Sequence, residues 1–184
     1  MNRISIPTVE HAHAASQPLL AAVQQQLGVV PNLMKVIGHS PAALEGYLSL
    51  NGALNKGKLP AALRERIALA VAEYNGCDYC LSAHSYLGQH VAKLSAAEID
   101  AARDHHSADA RSNAALQFAY QVAARRGHVS DAELAALRAA GFDEAETIEL
   151  VLLVALNVLT NYVNNVVRTS IDFPVVTAGQ HHAA

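Results

Sequence analysis

The chain has 184 residues and a formal net charge of −3, so it carries no basic footprint for binding nucleic acid. Apolar residues make up 52% of the sequence and aromatic residues only 5%, a balance that favours packed helices over sheets. This length suffices for one domain with a substantial core, and we expect a single all-helical domain over residues 1–184.

Helix start and stop signals divide the chain into a succession of helices, with no convincing strand among them. Ser40 before Pro41 is typical of a helix start, because the hydroxyl caps the first turn and proline fits there. Ser95 and Ser130 each stand three residues before a glutamate, the pattern of a capping box. The predicted helices cover residues 16–27, 33–37, 41–55, 60–74, 78–91, 95–103, 109–126, 130–141 and 143–168.

The two ends are expected to differ from this helical body. Residues 1–15 predict an extended arm that either packs on a neighbouring subunit or is disordered, and residues 175–184 predict a loose tail. The longest apolar run, residues 150–159, is too short to cross a bilayer and is expected to be a buried helix. We therefore predict no membrane segment.

The only two cysteines, Cys77 and Cys80, form a C-x-x-C pair, and His84 follows four residues later. A helix that starts near Cys77 turns by about 100° per residue, so these three side chains share a narrow arc. Asn75 and Gly76 form a break signal that ends the preceding helix. Both thiols would then lie in the first turns of a new helix, where the dipole favours a thiolate. The pattern indicates dithiol redox chemistry.

Two other interpretations of the cysteine pair remain. The cysteines are either buried structural residues or part of a zinc site with His84 as third ligand, although the sequence shows no fourth ligand. Two cysteines without a signal peptide also argue against an exported disulfide scaffold, and they favour the reducing cytoplasm.

The run from Glu65 through an apolar helix to N-G-C-x-x-C-x-x-x-H resembles the alkylhydroperoxidase D-like proteins of the carboxymuconolactone decarboxylase superfamily. The core of the resemblance covers about residues 45–95, and residues 161–174 also resemble the tail of peroxidase-related members. The resemblance implies an all-α helical bundle and a homo-oligomer, either trimer-based or dimeric. Neither a bound cofactor nor a metal is part of the prediction.

The resemblance also implies a role for each matching residue. Cys80 would attack the peroxide, Cys77 would resolve the resulting sulfenic acid, and His84 with Glu65 would relay protons. Tyr79 stands where some relatives have a histidine of the relay. It is a candidate further relay member, although a phenol is a poor base near neutral pH.

The implied function is that of a thiol-dependent peroxidase that reduces hydroperoxides through a dithiol/disulfide cycle. An external dithiol or a lipoyl group on a carrier protein would then reduce the disulfide. Two alternatives from other classes stay open: a non-catalytic or regulatory dithiol redox protein, and a lactone decarboxylase-like acid/base enzyme. The decarboxylases of the superfamily do without the cysteine pair, which argues against the second alternative.

A stripe of asparagines interrupts the last apolar helix. Its members recur at helical spacing: Asn157, Asn161, Asn164 and Asn165. Buried amides need partners, and we expect these to bond across a helix or subunit interface. The alternative places some of them near the thiols, as hydrogen-bond donors to a bound peroxide.

Overall fold

The structure, a computed structural model of the chain, describes residues 2–180. Within that part nine α-helices form and no strand does, so the prediction of an all-α fold is confirmed. The helices are Gln17–Leu27 (α1), Asn32–Ile37 (α2), Pro41–Asn55 (α3), Ala61–Tyr74 (α4), Asp78–His90 (α5), Ala96–Arg103 (α6), Ala110–Ala124 (α7), Asp131–Ala139 (α8) and Glu144–Val167 (α9).

Side-chain caps start the helices where the sequence indicated. Ser40 accepts a hydrogen bond from the backbone of Ala43 at the start of α3. Ser95 and Ser130 form complete capping boxes at α6 and α8, and Asp143 forms a third one at α9. Each cap satisfies backbone N–H groups that the first helical turn leaves without a partner.

Helix α4 lies at the centre of the molecule and packs against α5, α6, α7 and α9. Its buried residues lie on all sides rather than along one stripe, as expected for a helix enclosed by others. They are Leu63, Ile67, Ala68, Leu69, Ala70, Val71 and Ala72. The small alanines let the neighbouring helices approach closely, and this brings the start of α5 against α4 and α9.

Helix α9 is the longest of the described helices, with 24 residues. Its length and its mean hydropathy of 1.7 would by themselves suit a membrane-spanning helix. Half of its most apolar 18-residue stretch, however, is buried inside the fold. It packs against α3, α4, α5 and α7. This is the environment of a core helix, in agreement with the buried helix expected for residues 150–159.

The described part of the N-terminal end lies against the body of its own chain. Two short 3-10 helices, Val9–His11 and Ala14–Ser16, replace the expected extended arm. The backbone N–H of Arg3 donates to the carbonyl oxygen of Val167 at 2.7 Å, at the end of α9.

Residues 169–180, here called the C-terminal segment, also pack on the core. Two backbone N–H groups of the segment donate to Ser82 Oγ and Asp78 Oδ1 on α5, each at 2.9 Å. Arg103 on α6 donates to two of its carbonyl oxygens, at 3.0 and 2.8 Å. Residues 175–180 of the expected loose tail thus make contacts with the core, and its last part, residues 181–184, lies outside the described residues.

Candidate active site

The two cysteines lie at the start of α5, where the chain reverses direction after α4. Gly76 has a φ of +61°, a left-handed conformation that glycine adopts without strain. Cys77 caps the helix, and its Sγ accepts a hydrogen bond from the backbone N–H of Cys80 at 3.3 Å. Both sulfur atoms thus lie at the free end of the helix, where N–H groups and the dipole stabilise negative charge.

The two thiols are in direct contact and differ in acidity. Cys77 Sγ donates a hydrogen bond to Cys80 Sγ across 2.6 Å, and both are free, buried cysteines. This hydrogen bond lowers the pKa of Cys80 to about 7 against the opposing effect of burial, and the positive charge of His84 adds to it. The same hydrogen bond, together with burial, raises the pKa of Cys77. These opposite shifts favour Cys80 over Cys77 as the thiolate of the pair.

His84 and Glu65 form a hydrogen-bonded pair between α5 and α4. His84 Nδ1 lies 2.8 Å from Glu65 Oε2, and the two side chains are 24% and 22% exposed. Burial disfavours the imidazolium, but the charge and hydrogen bond of Glu65, together with the charge of Cys80, outweigh it and raise the pKa of His84. Donation of Nδ1–H to the carboxylate leaves Nε2 for other partners.

Glu65 points inward although an arginine stands on each side of it in the sequence. Arg64 Nη1 donates to the carbonyl oxygen of Leu59 at 2.5 Å, and Arg66 Nη2 pairs with Glu98 Oε1 at 2.5 Å. Both guanidinium groups are thus held by partners other than Glu65. The carboxylate stays close to His84 as its main partner.

The hydroxyl of Tyr79 is engaged away from the cysteines. It donates to Asp172 Oδ1 at 2.8 Å and accepts from the backbone N–H of Leu33 at 3.1 Å. Burial is the main cause of its raised pKa, and the ring packs edge-on against Phe173. Its only proton is donated to Asp172, so the candidate relay role for Tyr79 gains no support from its hydrogen bonds.

Part of the asparagine stripe reaches the reactive sulfur. Asn164 Nδ2 donates to Cys80 Sγ at 3.2 Å, and Asn161 lies close enough to have the same effect. After the larger effects of Cys77 and His84, both amides favour the thiolate and lower the pKa of Cys80. Asn161 is fully buried, and its Oδ1 accepts a hydrogen bond from Asn75 Nδ2 at 2.9 Å.

The other asparagines bond elsewhere. Asn157 Nδ2 donates to the carbonyl oxygen of Leu153 within α9, and Asn165 Nδ2 donates to the carbonyl oxygen of Asn75. The preferred expectation, bonding across an interface between helices, thus describes Asn164, which reaches α5, and Asn165, which reaches the end of α4, but it fails for Asn157. The alternative that placed some of the stripe beside the thiols describes Asn164.

A cavity of about 90 Å³ opens beside these groups. Its wall includes side chains from α3, α4, α5 and α9, among them Tyr47, Glu65, Tyr79, Cys80, His84 and Leu156. The structure thus brings Cys80, His84 and Glu65 to one cavity, and Cys77 lies directly behind Cys80. Tyr47 is not among the residues predicted from the sequence, because no local pattern marks it and only the packing of α3 against α9 brings it here.

The donor set of this site suits thiol chemistry better than metal binding. Within residues 2–180, no three histidine, cysteine, aspartate or glutamate side chains are grouped so as to hold a metal ion. A zinc site built on the cysteine pair has no ligand set in this part of the chain. A thiolate with a thiol in contact and an imidazolium nearby can instead pass two electrons to a substrate and close a disulfide.

Residues 41–125 match the model of the carboxymuconolactone decarboxylase family. The matched stretch runs from α3 to α7 and includes Glu65, both cysteines and His84. None of the curated proteins compared with the chain matches it.

Several solved structures share the fold. The alkylhydroperoxidase AhpD core of an uncharacterized peroxidase-related protein from Ralstonia eutropha JMP134 is 24% identical, with a TM-score of 0.83 over 93% of this chain and 92% of that one. An uncharacterized peroxidase-related protein from Silicibacter sp. TM1040 is 22% identical, with a TM-score of 0.80 over 92% and 91%. A cysteine-to-alanine variant of the debrominase Bmp8 in complex with 2,3,4-tribromopyrrole is 21% identical, with a TM-score of 0.74 over 92% and 94%. At these identities the likeness establishes the fold, and the chemistry must be argued from the site.

Proposed function

We propose that this protein, which belongs to the carboxymuconolactone decarboxylase superfamily and has the alkylhydroperoxidase D-like fold, is a thiol-dependent peroxidase. One observation carries the proposal: Cys80, in contact with a second thiol, shares one small cavity with a hydrogen-bonded imidazole–carboxylate pair. Cys80 is the peroxide-attacking group, Cys77 the resolving thiol, and His84 with Glu65 the proton relay.

In the first step the Cys80 thiolate attacks one oxygen of a hydroperoxide. A sulfur–oxygen bond forms, the oxygen–oxygen bond breaks, and the leaving oxygen takes a proton to become an alcohol or water. Cys80 is oxidised to a sulfenic acid and the hydroperoxide is reduced. The His84 imidazolium is the proton source, and Glu65 holds its ring in place.

In the second step Cys77 displaces the hydroxyl group of the sulfenic acid. A disulfide and one water molecule form, and the separation of 2.6 Å between the two sulfur atoms supports this step, because neither thiol has far to move. An external dithiol, of the lipoyl type in this proposal, then reduces the disulfide by exchange and is itself oxidised. This last step requires a reducing compartment, which we take to be the cytoplasm.

The size of the cavity favours small substrates. Pockets for drug-sized ligands measure about 300–1,000 Å³, whereas this one has about 90 Å³. Hydrogen peroxide and short alkyl hydroperoxides are therefore the substrates with which the proposal is best tested.

The test measures hydroperoxide consumption with dihydrolipoamide as electron donor. Cys80→Ser is expected to abolish turnover, because it removes the thiolate that attacks. Cys77→Ser is expected to oxidise once and stop, with a sulfenic acid on Cys80 that dimedone labels and mass spectrometry locates. Ser85→Ala, on the same helix, is the matched control and should turn over like the wild type.

Unchanged turnover in both cysteine variants would contradict the proposal. A Cys77–Cys80 disulfide that forms reversibly without turnover would identify the regulatory redox protein instead. Turnover of a lactone that survives in Cys80→Ser would favour the acid/base enzyme.

A further inference from the structure

Tyr47 on α3 is a wall residue of the thiol cavity to which the proposed cycle assigns no task. It lines this cavity together with Cys80, His84 and Glu65. It also lines an apolar surface groove of about 670 Å³ formed by α2, α3 and α9. Its side chain therefore borders both the thiol cavity and the surface groove.

The hydroxyl of Tyr47 has no hydrogen-bond partner among the residues that the structure describes. Its oxygen is not among the fully buried, unpaired side-chain atoms of the described residues, so a ligand or water can reach it. Tyr79, the second phenol on the same wall, shows the usual arrangement, with Asp172 and the Leu33 N–H as partners. One phenol of the cavity is thus used by the fold, and the other is free to meet a ligand.

The surroundings keep this hydroxyl protonated. Burial, together with the negative charges of Cys80 and Glu65, raises the pKa of Tyr47 to about 12. Throughout the pH range in which Cys80 ionises, Tyr47 is therefore a neutral O–H donor. Tyr47 lines the same cavity as Cys80 and His84, and this places the phenol beside the groups that react.

We propose that Tyr47 is a further catalytic residue, whose hydroxyl donates a hydrogen bond to the leaving oxygen of the bound hydroperoxide. This inference rests on the proposed peroxidase function. When Cys80 attacks one oxygen, negative charge develops on the other oxygen as the bond between them breaks. The Tyr47 hydroxyl stabilises that charge, and the His84 imidazolium supplies the proton that converts the leaving group into an alcohol or water. Tyr47 keeps its own proton through the cycle.

The test compares two reactions of the same sulfur in Tyr47→Phe. Oxidation of Cys80 by hydrogen peroxide needs a donor for the leaving oxygen, whereas alkylation by iodoacetamide needs only the thiolate, because iodide leaves. Removal of one donor that stabilises developing charge reduces a rate on the order of 10²-fold. We expect oxidation to slow by that order. The alkylation rate should stay within about twofold of the wild-type rate, and the pH midpoint of alkylation should not move.

Tyr162→Phe is the matched control, since Tyr162 lines the same groove but not the thiol cavity. Its oxidation rate should equal that of the wild type. Oxidation at the wild-type rate in Tyr47→Phe would overturn this inference and leave the proposed function standing. Equal loss of oxidation and alkylation would also overturn it, because Tyr47 would then act on the thiolate. Wild-type protein that is alkylated but not oxidised would overturn the proposed function and this inference with it.

Discussion

At the residue scale, Cys80 is surrounded by groups that favour its charged form although burial opposes it. Cys77 donates from within the same helical turn, His84 lies one turn further along α5, and Asn164 donates from α9. A thiol that is half ionised near pH 7 is both abundant as thiolate and still a strong nucleophile. These contacts therefore bring the pKa of Cys80 to a value that suits nucleophilic attack at neutral pH.

The Asn164 hydrogen bond can be tested by the pH dependence of Cys80 alkylation. Thiolate reacts and thiol does not, so the wild-type rate should rise with pH through a midpoint of about 7. Asn164→Leu removes a donor that favours the thiolate, which raises the pKa of Cys80 and moves the midpoint to higher pH. A hydrogen bond to a charged group contributes about 1.5–3 kcal/mol, so the rate at pH 7 should fall about fivefold or more.

The rate of this variant should recover in alkaline solution, where the thiol ionises without help. Asn165→Ala, on the same helix but bonded to the backbone of Asn75, should behave like the wild type. A midpoint that stays near 7 in Asn164→Leu would show that the amide does not stabilise the thiolate.

At the scale of elements, the C-terminal segment joins α4, α5 and α6. Arg103 of α6 is 1% exposed and donates from Nε to Glu73 Oε2 of α4 at 2.8 Å, while its Nη2 donates to two carbonyl oxygens of the segment. Asp172 of the segment in turn holds the hydroxyl of Tyr79. The segment therefore supports the cysteine helix from outside the site.

Arg103→Ala is expected to lower the free energy of unfolding strongly. It would leave the Glu73 carboxylate, 12% exposed, without its cation, and loss of one partner of a buried pair costs about 3–5 kcal/mol. Urea unfolding measures this change, and limited proteolysis should show earlier cleavage after residue 168. Arg125→Ala is the control, because the Arg125 side chain in its pair with Glu133 is 50% exposed. Similar small changes in both variants would contradict the anchoring role of Arg103.

At the scale of the whole molecule, α9 presents an apolar face that the described part of the chain leaves uncovered. Its exposed apolar residues are Ile148, Leu152, Leu159, Tyr162 and Val166. Several of them border the groove that also includes Ile4 and Val36. Large exposed apolar patches on a folded protein commonly mark contact surfaces. We propose that this face is where copies of the chain associate into the expected homo-oligomer.

Sedimentation analysis of the purified protein tests this proposal. Wild type should sediment as an oligomer at micromolar concentration, and Tyr162→Glu should shift it toward the monomer, because a carboxylate in an apolar contact is unfavourable. Gln26→Glu is the control, because it places the same charge at an exposed position of α1, and it should not change the sedimentation. A wild-type monomer, or an oligomer that Tyr162→Glu does not weaken, would contradict the assignment of this face.

The order of helices could be predicted from the sequence because helix starts are local. Ser40, Ser95, Ser130 and Asp143 cap backbone groups within three residues of themselves, so their patterns can be read without knowledge of the fold. The spacing of Cys77, Cys80 and His84 is local in the same sense, since one helix places all three side chains on one face. The pairing of Glu65 with His84 was expected only through the family resemblance.

Sequence alone therefore determined the all-α class, the helices and the turn that holds the two sulfur atoms, because hydrogen bonds between near neighbours decide them. Only the tertiary structure decided which distant groups lie near Cys80, namely Asn164 from α9 and Tyr47 from α3. It also decided that the hydroxyl of Tyr79 bonds to Asp172. These contacts depend on how whole helices pack, and no local pattern records which face of one helix meets another. Neighbouring residues form the helix start that holds the two sulfur atoms, and the packing of the helices determines which other groups contact Cys80.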